Sequence, residues 1–251
     1  MKPHKTQGWL NPRCSAEVVA QGVGALCQLY QQAPQRWQQE GIRTVSTDEK
    51  TGMQALERNA PDKPLQVGQV RKQEYEYTRH GTLCLLANWD IAQGGIVQPT
   101  LSDTRTEVDF KNHIEQTVLS DPSAKQWCFV VDQLNTHQSE SLVRYVADLE
   151  GISPGKLGIK GQSGVLRSMV SRQVFLREAT HRVYFVYTPK HCSWLNQIEI
   201  WFGILSRKLL RRGNFCSKAD LQRQVEEFIT YFNTVLAKPF KWTYNGKPCT
   251  Q

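Results

Sequence analysis

The chain has 251 residues, enough for one large domain or for one domain with short appendages. With 31 Lys and Arg against 23 Asp and Glu, a net charge of +8 and 39% hydrophobic residues, it reads as a basic globular protein, neither disordered nor coiled-coil, whose first expected partner is nucleic acid. No apolar run approaches the roughly 20 residues of a bilayer span and MKPHKTQGWLNP has no apolar signal core, so no membrane role and a cytoplasmic location are expected.

In chain order, AEVVAQGVGALCQLYQQA predicts an amphipathic helix that Pro34 follows, with WQQEG as the exit. IRTVSTDE alternates and is β-rich, which predicts a first strand ending on Asp48 and Glu49. EYEYTRHG, TLCLLANWD and GGIVQPTLS read as further strands of an antiparallel meander, joined in part by a turn at Gln93-Gly94-Gly95. TEVDFKNHIEQTVLS predicts a helix with acids near its start, ended by Asp121-Pro122. WCFVVD has the near-continuous apolar character of a central strand and delivers Asp132 at its carboxyl end. SESLVRYVADLEG follows as a helix, with Ser139 as N-cap and Gly151 as C-cap. Residues 152–181 form a basic, glycine-containing stretch of weak periodicity and read as an insertion. RVYFVYTP is a strand, WLNQIEIWFGILSRKLLRRG a long helix, and KADLQRQVEEFITYFNTVLA a last helix capped by Ser217. The seven cysteines are scattered, odd in number and never in a C-x-x-C pair, so core packing rather than disulfides or zinc is expected.

This order brings two strand-borne aspartates, Asp48 and Asp132, to neighbouring strands of a mixed α/β sheet, and a helix brings Glu199. Leu195, Ile198, Phe202, Leu205 and Leu209 make that helix's buried stripe, with Glu199 at its rim, Asn196 one turn earlier on the same side and Gly203 leaving open space one turn later. Three converging carboxylates repel one another unless cations are present, and their hard oxygens suit Mg²⁺ or Mn²⁺. Two such ions can drive an in-line phosphoryl displacement. Taken singly, each acid is more often a cap or a solvated side chain. Asp48 and Glu49 are adjacent on a strand and so point to opposite faces, which lets only one of them join the site.

The strings VSTDEKTGMQALER, FVVDQLNTHQS and YTPKHCSWLNQIEIWFGILSRKLLRRGNF closely resemble the catalytic domain of DDE transposases, nearest to the bacterial insertion-sequence branch related to the Tc/mariner superfamily. The resemblance runs from about residue 42 to PFKWTYNG. It implies an RNase H-like mixed sheet flanked by helices, as in retroviral integrase cores, over residues 41–251, with residues 1–40 as N-terminal helix and linker. It also implies Asp48, Asp132 and Glu199 as the catalytic and metal-binding triad, two Mg²⁺ or Mn²⁺ ions, cleavage at terminal inverted repeats, and strand transfer into target DNA at TA. A homodimer is expected, because two ends must be brought together. Asn135, His137, His191, Ser193 and Asn196 become candidates for DNA contact or for support of the triad. Trp194 is a base-stacking candidate, whereas Trp201 and Trp242 are read as packing or stacking. Arg207, Lys208, Arg211 and Arg212, with Lys156, Lys160, Arg167 and Arg172 of the insertion, are phosphate-binding candidates.

Two departures stand against the pattern. Asp132 and Glu199 are 67 positions apart, about twice the mariner-like interval, which the insertion must absorb. Only the linker-like HKTQGWLNP stands where related enzymes carry helix-turn-helix modules, so the chain is expected to be a frameshift partner, a remnant or an excised catalytic domain. Outside transposition, the alternatives are a plain RNase H-like nuclease and a non-catalytic DNA-binding remnant.

Overall fold

A computed structural model of the chain describes residues 16–244, apart from 71 and 73; HKTQGWLNP, Cys14 and Cys249 lie outside the described residues. Five strands form one mixed sheet in the order β3-β2-β1-β4-β5. β1 (Ile42–Arg58), β2 (Tyr77–Asp90) and β3 (Ile96–Ser102) are the antiparallel meander, and β4 (Gln126–Val131) and β5 (Val183–Tyr187) run parallel to β1. Parallel strands need crossovers, and the helices between them supply these.

One face of the sheet is covered by α1 (Ala16–Glu40), α5 (Ile198–Leu205) and α6 (Lys218–Tyr231), where Leu26, Tyr30, Leu85, Trp89, Trp201 and Phe202 form the core. The other face is covered by α2 (Glu107–Ser120), α3 (Glu140–Leu149) and α4 (Met169–Leu176), over Leu86, Phe110, Trp127, Phe129, Leu142 and Phe185. This is the helix-flanked mixed sheet that the resemblance implies. Thr106 and Asp109 close a capping box on α2, and Ser139 and Ser217 cap α3 and α6.

Three expected boundaries move, each for a physical reason. The first helix does not stop at Pro34: α1 runs through it to Glu40, because a proline removes one backbone bond while Val23, Leu26, Cys27, Tyr30 and Ala33 remain buried along the same stripe. β1 does not end on Asp48 and Glu49 but continues to Arg58. Gly52 sits at a β-bulge with φ +64° where the pairing with β2 shifts between Lys50 and Met53. EYEYTRHG and TLCLLANWD are largely one strand, β2, whose residues pair with β1 from Tyr77 through Asp90.

The expected β2–β3 turn is present. Gly94 there has φ +79°, and a Cβ would stand 1.9 Å from the backbone of Lys238, so only glycine fits. The 152–181 stretch is docked rather than loose. Two one-turn 3-10 helices and α4 bury Leu157, Leu166 and Leu176 in the α2–α3 face, and Arg172 donates to the carbonyl of Gln138 at 2.7 Å. No helix of the described residues is long and apolar enough to cross a membrane.

Candidate active site

The pairing register decides where the two aspartates meet. On the parallel pair Ser46 is opposite Val130, so two residues further on, where the β1–β4 pairing ends, Asp48 stands beside Asp132. Strand alternation then sorts the side chains of β1. Ser46 and Asp48 turn toward the start of α5, where both meet Asn196. Thr47 and Glu49 turn to the opposite face, Thr47 donating to Asn88 at 2.6 Å and Glu49 facing His137.

Asp48 is buried, 6% exposed, and its Oδ2 accepts from Asn196 Nδ2 at 3.1 Å while Oδ1 accepts from the Glu49 backbone N–H at 2.8 Å. Burial, and then the neighbouring Asp132 carboxylate, push Asp48 up to about 7 against the opposing pull of His137 and the Glu49 N–H. Asp132 follows β4 and is half-buried. Its Oδ1 accepts from the Leu134 N–H at 2.8 Å and lies 2.9 Å from His137 Nδ1. Burial opposes its ionisation, yet the imidazole and that N–H hold it below the usual carboxylate range.

His137 is fully buried in the 3-10 turn Asn135–Gln138. Burial alone would strip its second proton, but Asp132 and Glu49 outweigh this and push the ring up to about 10. Glu49 Oε2 stands 3.4 Å from His137 Nε2, an ion-pair distance rather than a well-formed hydrogen bond. Glu49 is held below its ordinary range for the same reason: the imidazole overcomes its burial. Asp48, Asp132 and His137 each offer a ligand atom, all within 4.8 Å of one another.

Glu199 lies in the first turn of α5 and is exposed; its carboxylate makes no hydrogen bond or ion pair among the described residues. What the structure fixes is its backbone, since the Ile198 N–H donates to Ser46 Oγ at 2.9 Å, two residues from Asp48. The single long helix expected here is in fact a 3-10 turn (Ser193–Leu195), α5, and a π-helical turn over Ser206–Leu210. Asn196, extended between the first two, breaks the helical phase and turns into the core instead of sharing Glu199's side. The space expected beside Gly203 is taken by the Arg207 guanidinium, 3.1 Å from where a Cβ would stand.

His137 and Asn196 are both buried, and their polar atoms serve carboxylates and backbone inside the protein. Asn135, His191, Ser193 and Trp194 are exposed. A cleft of about 380 Å³ beside Asp132 is lined by Leu134, Pro189, Lys190, His191 and Ser193. His191 holds φ +62°, a left-handed conformation uncommon outside glycine. Trp194 packs edge-on against Tyr244 and is 54% exposed, whereas Trp201 is fully buried and Trp242 packs on Tyr30. Arg207, Lys208, Arg211 and Arg212 are exposed and in no ion pair among the described residues. Of two polar partners in the site, Glu49 escapes the sequence reading, set aside by alternation, whereas Asn196, already a candidate for support of the triad, meets Asp48 directly. The adjacency of Asp48-Glu49 and the histidine five residues after Asp132 are the only signals that pointed to the first.

Comparison with known proteins follows the same lines. A family model described as DDE superfamily endonuclease matches residues 43–222. The chain belongs to that family. This DDE superfamily chain is also similar in fold to solved Mos1 transposase structures. The paired-end complex with the left transposon end is 12% identical, with a TM-score of 0.53 and a match over 90% of this chain and 59% of that one. The Mos1 mariner paired-end complex with Mn is 14% identical, with a TM-score of 0.51 over 92% and 60% of the two chains. The pre-cleavage Mos1 transpososome is 13% identical, with a TM-score of 0.51 over 90% and 59%. At these identities the likeness is one of fold, and it makes the mixed sheet an RNase H-like one. The DDE superfamily chain spans about three fifths of the length of those transposase chains. No curated protein matches it.

Proposed function

We propose that the chain is the catalytic domain of a DNA transposase. In this reading it cuts at the terminal inverted repeats of a mobile element and transfers the freed 3′ ends into target DNA, at a TA dinucleotide, as a homodimer holding two ends. The observation that carries it is the convergence of Asp48 and Asp132, each two residues beyond the last paired residues Ser46 and Val130 of parallel β1 and β4, within a DDE-family fold. Asp48, Asp132 and Glu199 are the proposed triad. The catalytic unit includes α1, whose apolar stripe packs on the sheet, together with the docked 152–181 segment.

The donor set fits a divalent metal. Two aspartates with oxygens this close repel, and the upward push on Asp48 is the cost that a cation would relieve. Mg²⁺ or Mn²⁺, two ions in this reading, would activate a water or 3′-hydroxyl and stabilise the leaving oxygen. Asp48 and Asp132 would hold the metal, with Glu199 contributing from the first turn of α5. Asn196 fixes Asp48 through Oδ2, and the Ser46 hydroxyl fixes the start of α5. Asn135, His191, Ser193 and Trp194 rim the site as DNA-contacting side chains, and Arg207, Lys208, Arg211 and Arg212 would carry phosphate along the continuation of α5.

The test is incubation of the chain with inverted-repeat DNA, a TA-containing target and Mn²⁺ or Mg²⁺. Cut ends joined to target are expected. Cutting without joining would reduce the function to that of a nuclease, and no cutting with either metal would contradict the proposal.

A further inference from the structure

Glu49 is a buried carboxylate, 3% exposed at its side chain, for which the proposed reaction has no use. It lies on the opposite face of β1 from Asp48, and its nearest cationic partner is His137 Nε2 at 3.4 Å. A carboxylate out of water needs such a partner. The far side of the same ring meets Asp132: Nδ1 is 2.9 Å from Oδ1 and 3.2 Å from the Asp132 carbonyl oxygen. Glu49, His137 and Asp132 thus form one line of contacts running from the α2 face to the catalytic edge.

The ring is fixed on every side. Phe110 lies against it with centroids 4.3 Å apart, the Tyr187 hydroxyl donates to the His137 carbonyl at 2.8 Å, and the His137 N–H donates to the Leu134 carbonyl at 3.0 Å. Asp132 Oδ1 therefore accepts from the Leu134 N–H and lies at ion-pair distance from His137 Nδ1, whose hydrogen bond goes to the Asp132 carbonyl, and Oδ2 is left as the oxygen able to ligate. A histidine nitrogen could bind a metal here only by leaving Asp132 or Glu49, because each ring nitrogen already faces a carboxylate oxygen.

We infer that Glu49 is a positioning residue of the metal site, acting through His137 to fix the Asp132 carboxylate, and that His137 is a support rather than a metal ligand. A partner that orients a ligating group is commonly worth about 10-fold or more in metal affinity. The inference rests on the reading that Asp48 and Asp132 bind a divalent cation.

Mn²⁺ binding, followed by the free-ion electron paramagnetic resonance signal, tests both and keeps them apart. Asp132→Asn should abolish tight binding. Glu49→Gln should weaken it about 10-fold at a melting temperature close to that of the wild type, and adding Glu49→Gln to His137→Gln should cause no further loss. Pulsed resonance of Mn²⁺ on the unsubstituted chain, which needs no variant to fold, should show no histidine nitrogen coupling. Wild-type affinity in Glu49→Gln, or a nitrogen coupling that His137→Gln removes, would overturn the inference while leaving the metal site standing. Failure of the unsubstituted chain to bind Mn²⁺, or wild-type binding by Asp132→Asn, would overturn both.

Discussion

Asn196 donates to Asp48 Oδ2 at 3.1 Å and to the Thr47 carbonyl at 3.0 Å, joining the turn that leads into α5 to β1 across 148 positions of sequence from Asp48. Its own Oδ1 accepts from the Ser46 hydroxyl, so the amide is fully engaged in a buried setting. Replacing it with Ala leaves Ser46, Thr47 and Asp48 short of a partner. Asn196→Ala should therefore lower unfolding free energy by about 1–3 kcal/mol in denaturant titration. An unchanged transition midpoint would show that the amide is dispensable.

The continuation of α5 should carry DNA affinity rather than stability. Arg211 and Arg212 are exposed and form no ion pair among the described residues, so Arg211→Gln with Arg212→Gln should leave the melting temperature nearly unchanged. If each side chain neutralises a phosphate, the slope of log affinity against log salt should fall by about 0.9 per residue. Fluorescence anisotropy on duplex DNA over a salt series measures it, and an unaltered slope would remove these arginines from the DNA path.

His113 predicts an acid sensitivity of the fold. It is fully buried on α2 with Nδ1 2.8 Å from Thr100 Oγ1, and burial pushes its pKa from 6.5 down to about 3. The folded chain thus keeps the ring neutral where the unfolded chain would protonate it. Its contribution is complete above pH 6.5 and is lost as pH falls toward 3, at up to ~1.4 kcal/mol per pH unit. His113→Gln should show a shallower decline in stability between pH 6 and pH 4. Equal slopes for the two proteins would contradict the assignment.

Much of this was legible in the chain because the relevant signals are local. WCFVVD can hardly be other than a strand covered on both faces, and parallel pairing with IRTVSTDE then puts Asp132 next to Asp48. Apolar periodicity located Glu199 on a helix, and the resemblance carried by SWLNQIEIWF singled it out for the triad. What stayed hidden depends on tertiary context. Pro34 looks like a helix end and Asp48-Glu49 like a strand end, yet burial of the α1 stripe and pairing with β2 carry the elements past them. Helical phase extended back to Trp194 put Asn196 on the wrong side, since one extended residue redirects it. Glu49 was excluded by alternation, which holds; its contact with His137 depends on how the turn after Asp132 folds back beneath the strand.

The central claim is that Asp48, Asp132 and Glu199 form one metal-dependent nucleolytic site, and nicking of supercoiled plasmid in Mn²⁺ measures it most directly. The chain should convert plasmid to the nicked form, lose the activity in chelator, and lose on the order of 10³-fold or more in rate on Asp132→Asn and, separately, on Glu199→Gln. Metal-dependent nicking that survives both substitutions would contradict the account.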